Sequence, residues 1–94
     1  MYYQLIRTYG EPVTGRMMVP ATEKLQTART LLGVAHVTEV RTLAHEDGYE
    51  VYDLANAKDY AQENPAGRLA AAQVSGGELD RELFGPVLIF YPVE

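Results

Sequence analysis

The 94-residue chain reads as a single α+β domain: a mostly antiparallel sheet of about five strands carrying two helices, in the order β-β-α-β-β-α-β. Three observations point there. Short β-branched and aromatic runs recur along the chain; "HEDGYEVY" puts Asp-Gly between two of them; and two stretches with helical spacing interrupt the strand pattern.

"YYQLIRTY" is the first strand-like run, and "GEPVTG" supplies turn residues before a second, "RMMVP", which Pro20 closes. Thr22 then suits a helix cap, with Glu23 in the first turn, where a negative charge meets the dipole. Leu25, Ala28, Leu31 and Leu32 give that helix an apolar side, and Gly33 ends it. "VAHVTEVRTL" and "YEVYDL" form the arms of the Asp-Gly hairpin, which places His36 on a strand. "ANAKDYAQE" lacks a period and reads as a turn or irregular segment. A second, alanine-rich helix begins near Pro65 and is expected to bury Leu69, Ala70, Ala66 and Val74. "SGG" stops it, "ELDREL" is a loop or one helical turn, and Gly85-Pro86 resets the backbone for "VLIFY". That run is apolar at every position, so it belongs near the middle of the sheet, covered on both faces, with Pro92 at its end.

Length and composition bound the rest. Ninety-four residues, residues 1–94, make one domain, 47% of it hydrophobic and 22% charged. With no cysteine, a disulfide framework, a thiolate zinc site and a cysteine nucleophile are all excluded. No signal-peptide pattern and no membrane-length apolar window is present, so the expected location is the cytoplasm. The net charge of −5 is concentrated between Thr42 and Glu63, where Glu46, Asp47, Glu50, Asp53, Asp59 and Glu63 face one base, Lys58. The other 72 residues balance seven acids with seven bases. Such a segment repels nucleic-acid phosphates and suits a partner with a basic surface, although a solvated hairpin face gives the same pattern.

The stretches "LLGVAHVTEVRTLAHEDGYEVYDLANAKDY", "ENPAGRLAAAQ" and "FGPVLIFYP" carry a resemblance. Over roughly residues 25 to 92 the chain resembles a domain-of-unknown-function family of small bacteriophage and mobile-element proteins. The shared features fall on Gly33, Asp47-Gly48, Asp53, Asn64-Pro65 and Gly85-Pro86-Val87; "LANAKDY" replaces a more acidic, glycine-containing turn. The resemblance implies no enzyme activity and transfers no catalytic residue. It implies an accessory role, such as binding and blocking a host factor.

The residues themselves offer little catalysis. Ser75 is the only serine and lies in "VSGGE", not in a nucleophile elbow. His36, His45, Glu46 and Asp47 are potential metal ligands better explained as strand and turn residues, so no metal or cofactor is expected. Alternation puts Asp53 on one strand face with Val51 and Tyr49, and Glu50 on the other, which separates two carboxylates that would have to cooperate.

Seven tyrosines remain to be explained, and of these Tyr52 and Tyr60 flank the acidic stretch. The leading expectation is a non-enzymatic acidic binding protein, with Glu46, Asp47, Glu50, Tyr52, Asp53 and Tyr60 contacting a basic host protein that itself binds nucleic acid or serves in defence. One alternative is a small-ligand or nucleotide-sequestering protein using Asn64 and Arg68 at the second helix start. Another is a structural component forming a homo-oligomer through an edge strand at residues 2 to 9. "ENPAGRLAAAQV" itself reads first as a helix start, Asn64 capping and Pro65 at the first helical position.

Overall fold

The computed structural model describes residues 2–17, 21–46, 48–75 and 81–91. Five strands, β1 (Tyr2–Ile6), β2 (Val13–Arg16), β3 (Val40–Glu46), β4 (Tyr49–Leu54) and β5 (Val87–Tyr91), and two helices, α1 (Lys24–Leu32) and α2 (Pro65–Val74), follow the expected order. The strands form one sheet, β2-β1-β5-β4-β3, in which every neighbouring pair is antiparallel.

The all-apolar β5 is the central strand, and the helices explain why it needs no polar face. Leu88 and Phe90 pack with Tyr52, Leu54 and the α1 residues Ala28 and Leu32. Val87 and Ile89 turn the other way, against Val51, Ile6, Leu83 and Ala71 of α2. The helices therefore cover opposite faces of one sheet, and β5 contributes two side chains to each core. Burial of such side chains stabilises by about 1.5–3 kcal/mol apiece.

Several boundaries differ from the sequence expectation for local reasons. The first turn falls at residues 7–12, where Gly10 adopts φ +73°, so among the described residues the second strand is Val13–Arg16, which begins ahead of "RMMVP". Gly15 is accommodated inside that strand because the Tyr3 ring opposite occupies its Cβ position, within 2.7 Å. Met18, Val19 and Pro20 lie outside the described residues, as do residues 76–80 of "SGGELDREL" and Pro92. A 3-10 turn at Ala21–Glu23 precedes α1, and Glu23, not Thr22, is the residue before the helix. Leu25 is exposed, while Gly33 stops the helix at φ +79°, its N–H donating to the Arg29 carbonyl. His36 sits before a second 3-10 turn, Val37–Glu39, where its N–H donates to the Glu39 carboxylate; β3 begins only at Val40.

α2 faces the sheet differently from expectation. Gly67 and Ala71 are buried with Ala70 and Val74 packed beside them, whereas Leu69 and Ala66 point outward. The face at 67, 70, 71 and 74 is the helical i, i+3, i+4, i+7 stripe. Its register is set by close approach: a Cβ on Gly67 would lie 2.6 Å from Val87 Cγ2 and 2.8 Å from Asn64 Nδ2.

The edge expected at residues 2 to 9 does not exist, because β1 is paired on both sides; the sheet edges are β2 and β3. β3 is interrupted by a bulge between Thr42 and Ala44.

Gly67→Ala tests the close packing of α2. Alanine has the higher helix propensity, by about 1 kcal/mol, yet the contact with Val87 predicts a net loss of about 1–3 kcal/mol in urea unfolding. A stabilised variant would contradict the packing described.

Candidate functional site

The β3–β4 hairpin closes between Glu46 and Tyr49, with Gly48 at φ +83°. Counting back from that turn without interruption would set Arg41 opposite Leu54. The bulge at Leu43 shifts the register by one residue and sets Arg41 opposite Asp53 instead, on the α2 face. There Arg41 Nε donates to Asp53 Oδ1 at 2.9 Å and Nη2 to Oδ2 at 2.6 Å. Asp53 is 1% exposed, and this two-pronged bond compensates its burial. The hydrogen bond to Asp53 holds the Arg41 guanidinium above its ordinary pKa.

On the α1 face, Glu50 is 8% exposed and forms an ion pair with Lys24 at 2.6 Å. It also accepts from the Tyr52 hydroxyl at 3.1 Å. Tyr52 lies edge-on to Phe90, centroids 5.7 Å apart. Burial first, then the Glu50 charge and hydrogen bond, raise the Tyr52 pKa well above the ordinary phenol value.

Three of the six residues expected to meet a partner, Glu50, Tyr52 and Asp53, are thus inside the protein on two opposite faces. Glu50→Lys would place two cations together beside α1 and would disturb folding as well as any contact. Glu46 ends β3, and Asp47 lies outside the described residues. Tyr60 is 66% exposed. The charge excess of the acidic segment is also partly internal, since Lys24 and Arg41, both from outside it, pair with two of its acids.

The Asn64–Arg68 corner is occupied by the protein itself. Asn64 is 1% exposed; its Oδ1 accepts from the Gly67 N–H at 2.9 Å, and its Nδ2 donates to the carbonyls of Ile6 and Gly85, both at 2.8 Å. The Asn64 N–H donates to the Leu83 carbonyl at 2.7 Å, and the Gly85 N–H to Gln62 at 2.9 Å. Glu63 and Phe84 complete this short antiparallel bridge. Pro65 opens α2 as expected. The half-buried Arg68 enters through its backbone N–H, which donates to the Asn64 carbonyl. The Asn64 side chain is committed to three backbone groups, which leaves it no N–H to offer an anion.

This corner fixes the loop beside it. Asp59, Tyr60, Gln62, Glu63, Pro65, Ala66 and Leu69 are all exposed, Leu69 at 62%. Sequence reasoning missed Leu69 by assigning it to the core. Its signal was the lack of a polar face on "PAGRLAAAQV", which leaves apolar side chains on both sides of the helix whichever one is buried.

A second tyrosine group crosses the sheet. Tyr91 stands edge-on to Tyr49 at 5.5 Å and to Tyr2 at 6.2 Å, and its hydroxyl donates to Gln4 Oε1 at 2.7 Å. Burial, then the neighbouring Tyr49 and Tyr2, raise its pKa. Arg16 lies over the Tyr2 ring at 5.6 Å. These contacts account for Tyr2, Gln4, Arg16, Tyr49 and Tyr91 by mutual packing.

Among the described residues no group of three or more His, Cys, Asp or Glu is placed to hold a metal ion, and no helix is long and apolar enough to cross a membrane. Comparisons with protein-family models, with curated proteins and with solved structures find no match to the chain.

The raised pKa of Tyr52 predicts an alkaline instability. In the unfolded chain the phenol ionises near pH 10, whereas in the folded protein it keeps its proton to higher pH. The unfolded state therefore binds fewer protons above that point, and the contribution, full below it, is lost as pH rises. Urea unfolding between pH 8 and 11 should show stability falling above about pH 10, less steeply in Tyr52→Phe. Equal slopes would remove Tyr52 as a cause.

Proposed function

We propose that the chain is a non-enzymatic binding protein that presents the segment Asp59–Leu69 to the surface of another protein. The observation that carries this reading is the exposure of Tyr60, 66%, and Leu69, 62%, on a backbone held by the Asn64 bonds. Large side chains on a fixed backbone, Tyr60 on the loop and Leu69 on α2, lose little conformational freedom on binding, and tyrosine is a frequent anchor of protein interfaces. Asp59 and Glu63 flank the two anchors, which favours a partner with a basic rim. In this reading the partner is a host protein, as the resemblance of the sequence motifs to phage and mobile-element proteins implies, and occupation of its surface is the inhibitory act. Of the residues first suggested by the acidic segment, Tyr60 remains central to this reading.

Tyr60→Ala and Leu69→Asp are the test. Exposed substitutions of this kind shift stability by no more than about 0.5 kcal/mol, so the unfolding midpoint should stay near wild type. Capture of the partner from host lysate should fall by about tenfold or more, as for loss of an interface anchor. Raising the salt concentration should weaken capture further. Unchanged capture by both variants would refute the assignment.

A further inference from the structure

Beyond the Asp59–Leu69 surface, a cleft of about 290 Å³ opens where β4 ends, with Leu54 and Phe84 among its walls. It gathers cations in a protein of net charge −5: Arg41, Lys58 and Arg81 all line it, opposed by Asp53 and Glu82. Asp53 is already taken by Arg41, through Nε and Nη2, which leaves the Arg41 Nη1 outside the pair. Lys58 and Arg81 are exposed and form no ion pair among the described residues. The size is at the lower limit of ligand sites, roughly 300–1,000 Å³, which suits a compact ligand and rules out a dinucleotide.

We propose that this cleft binds a small organic phosphate monoester. The phosphoryl group lies between Lys58 and Arg81 with the outer edge of Arg41 behind it, and the carbon body rests on Phe84 and Leu54. Two cations free to pair match the two negative charges of a monoester, and the guanidinium groups supply the forked donors that phosphate oxygens accept from. The apolar wall favours an ester over the bare ion. Glu82 at the rim opposes the anion, so its charge limits affinity.

Phenyl phosphate is a suitable probe, titrated at low salt with backbone amide NMR as the readout. Saturable shifts are expected at Leu54, Ala55, Lys58 and Phe84, with affinity in the millimolar range or tighter. Inorganic phosphate should shift the same amides about tenfold more weakly, for want of the apolar contact. Lys58→Gln with Arg81→Gln should weaken phenyl phosphate by about tenfold, and Glu82→Gln should strengthen it by about twofold. These are exposed side chains, so the dispersion of the spectrum confirms the fold of each variant. Arg41 is left intact because its removal would strand the buried Asp53. The proposal is overturned by the absence of saturation up to roughly 20 mM, by shifts centred on Asn64–Arg68, by a double variant that binds as the wild type does, or by inorganic phosphate binding equally well. None of these readouts depends on capture of a protein partner.

Discussion

The buried amide of Asn64 is the constraint on which the arrangement depends. Its oxygen caps α2 through Gly67, and its two N–H groups reach the last carbonyl of β1 and the carbonyl that precedes β5. One side chain thus joins the start of a helix to the ends of two neighbouring strands. Each such bond contributes about 0.5–1.5 kcal/mol net, but a buried carbonyl left without its donor costs about 1–3 kcal/mol. No water-exposed alternative exists for an amide at this depth, so the three segments must meet together or not at all.

Several features follow from that junction. Gly67 lets α2 settle onto Val87, so the helix buries small residues and leaves Leu69 outside. Gly85 takes φ +72° to turn its carbonyl toward Asn64, and a side chain there would press on Ala57 at 3.2 Å. The exposed run from Asp59 to Leu69 is consequently held by backbone bonds to residues 83–85. A second constraint, the bulge at Leu43, does comparable work on the hairpin by bringing Arg41 to Asp53. Both devices remove polar groups from the surface that the chain, read in order, offers to a partner.

Local signals were legible and long-range ones were not. The all-apolar "VLIFY" announces a central strand because no solvated face is compatible with it, and Asn64-Pro65 announces a helix start because cap and proline act on the nearest turn. The partners of the Asn64 amide are 58 and 21 residues away, beyond any local pattern. The acidic segment misleads for a related reason: Lys24, which pairs with Glu50, lies on α1 far upstream, and Arg41, which pairs with Asp53, stands just before the segment and reaches it through the hairpin register. Alternation places Asp53 on the Val51 face, as observed, but its partner depends on the bulge, which no local pattern marks. Size alone puts Leu69 inward, whereas the close approach at Gly67 selects small residues for the interface.

Asn64→Asp distinguishes a three-way junction from an ordinary cap. Aspartate is as good an N-cap as asparagine, and it keeps the acceptor for Gly67 while losing both donors. It also sets a carboxylate against the carbonyls of Ile6 and Gly85. Equilibrium unfolding in urea at neutral pH should show Asn64→Asp destabilised by about 3 kcal/mol or more. A variant within about 0.5 kcal/mol of wild type would mean that Asn64 acts only as a cap, and that the junction is held by other contacts.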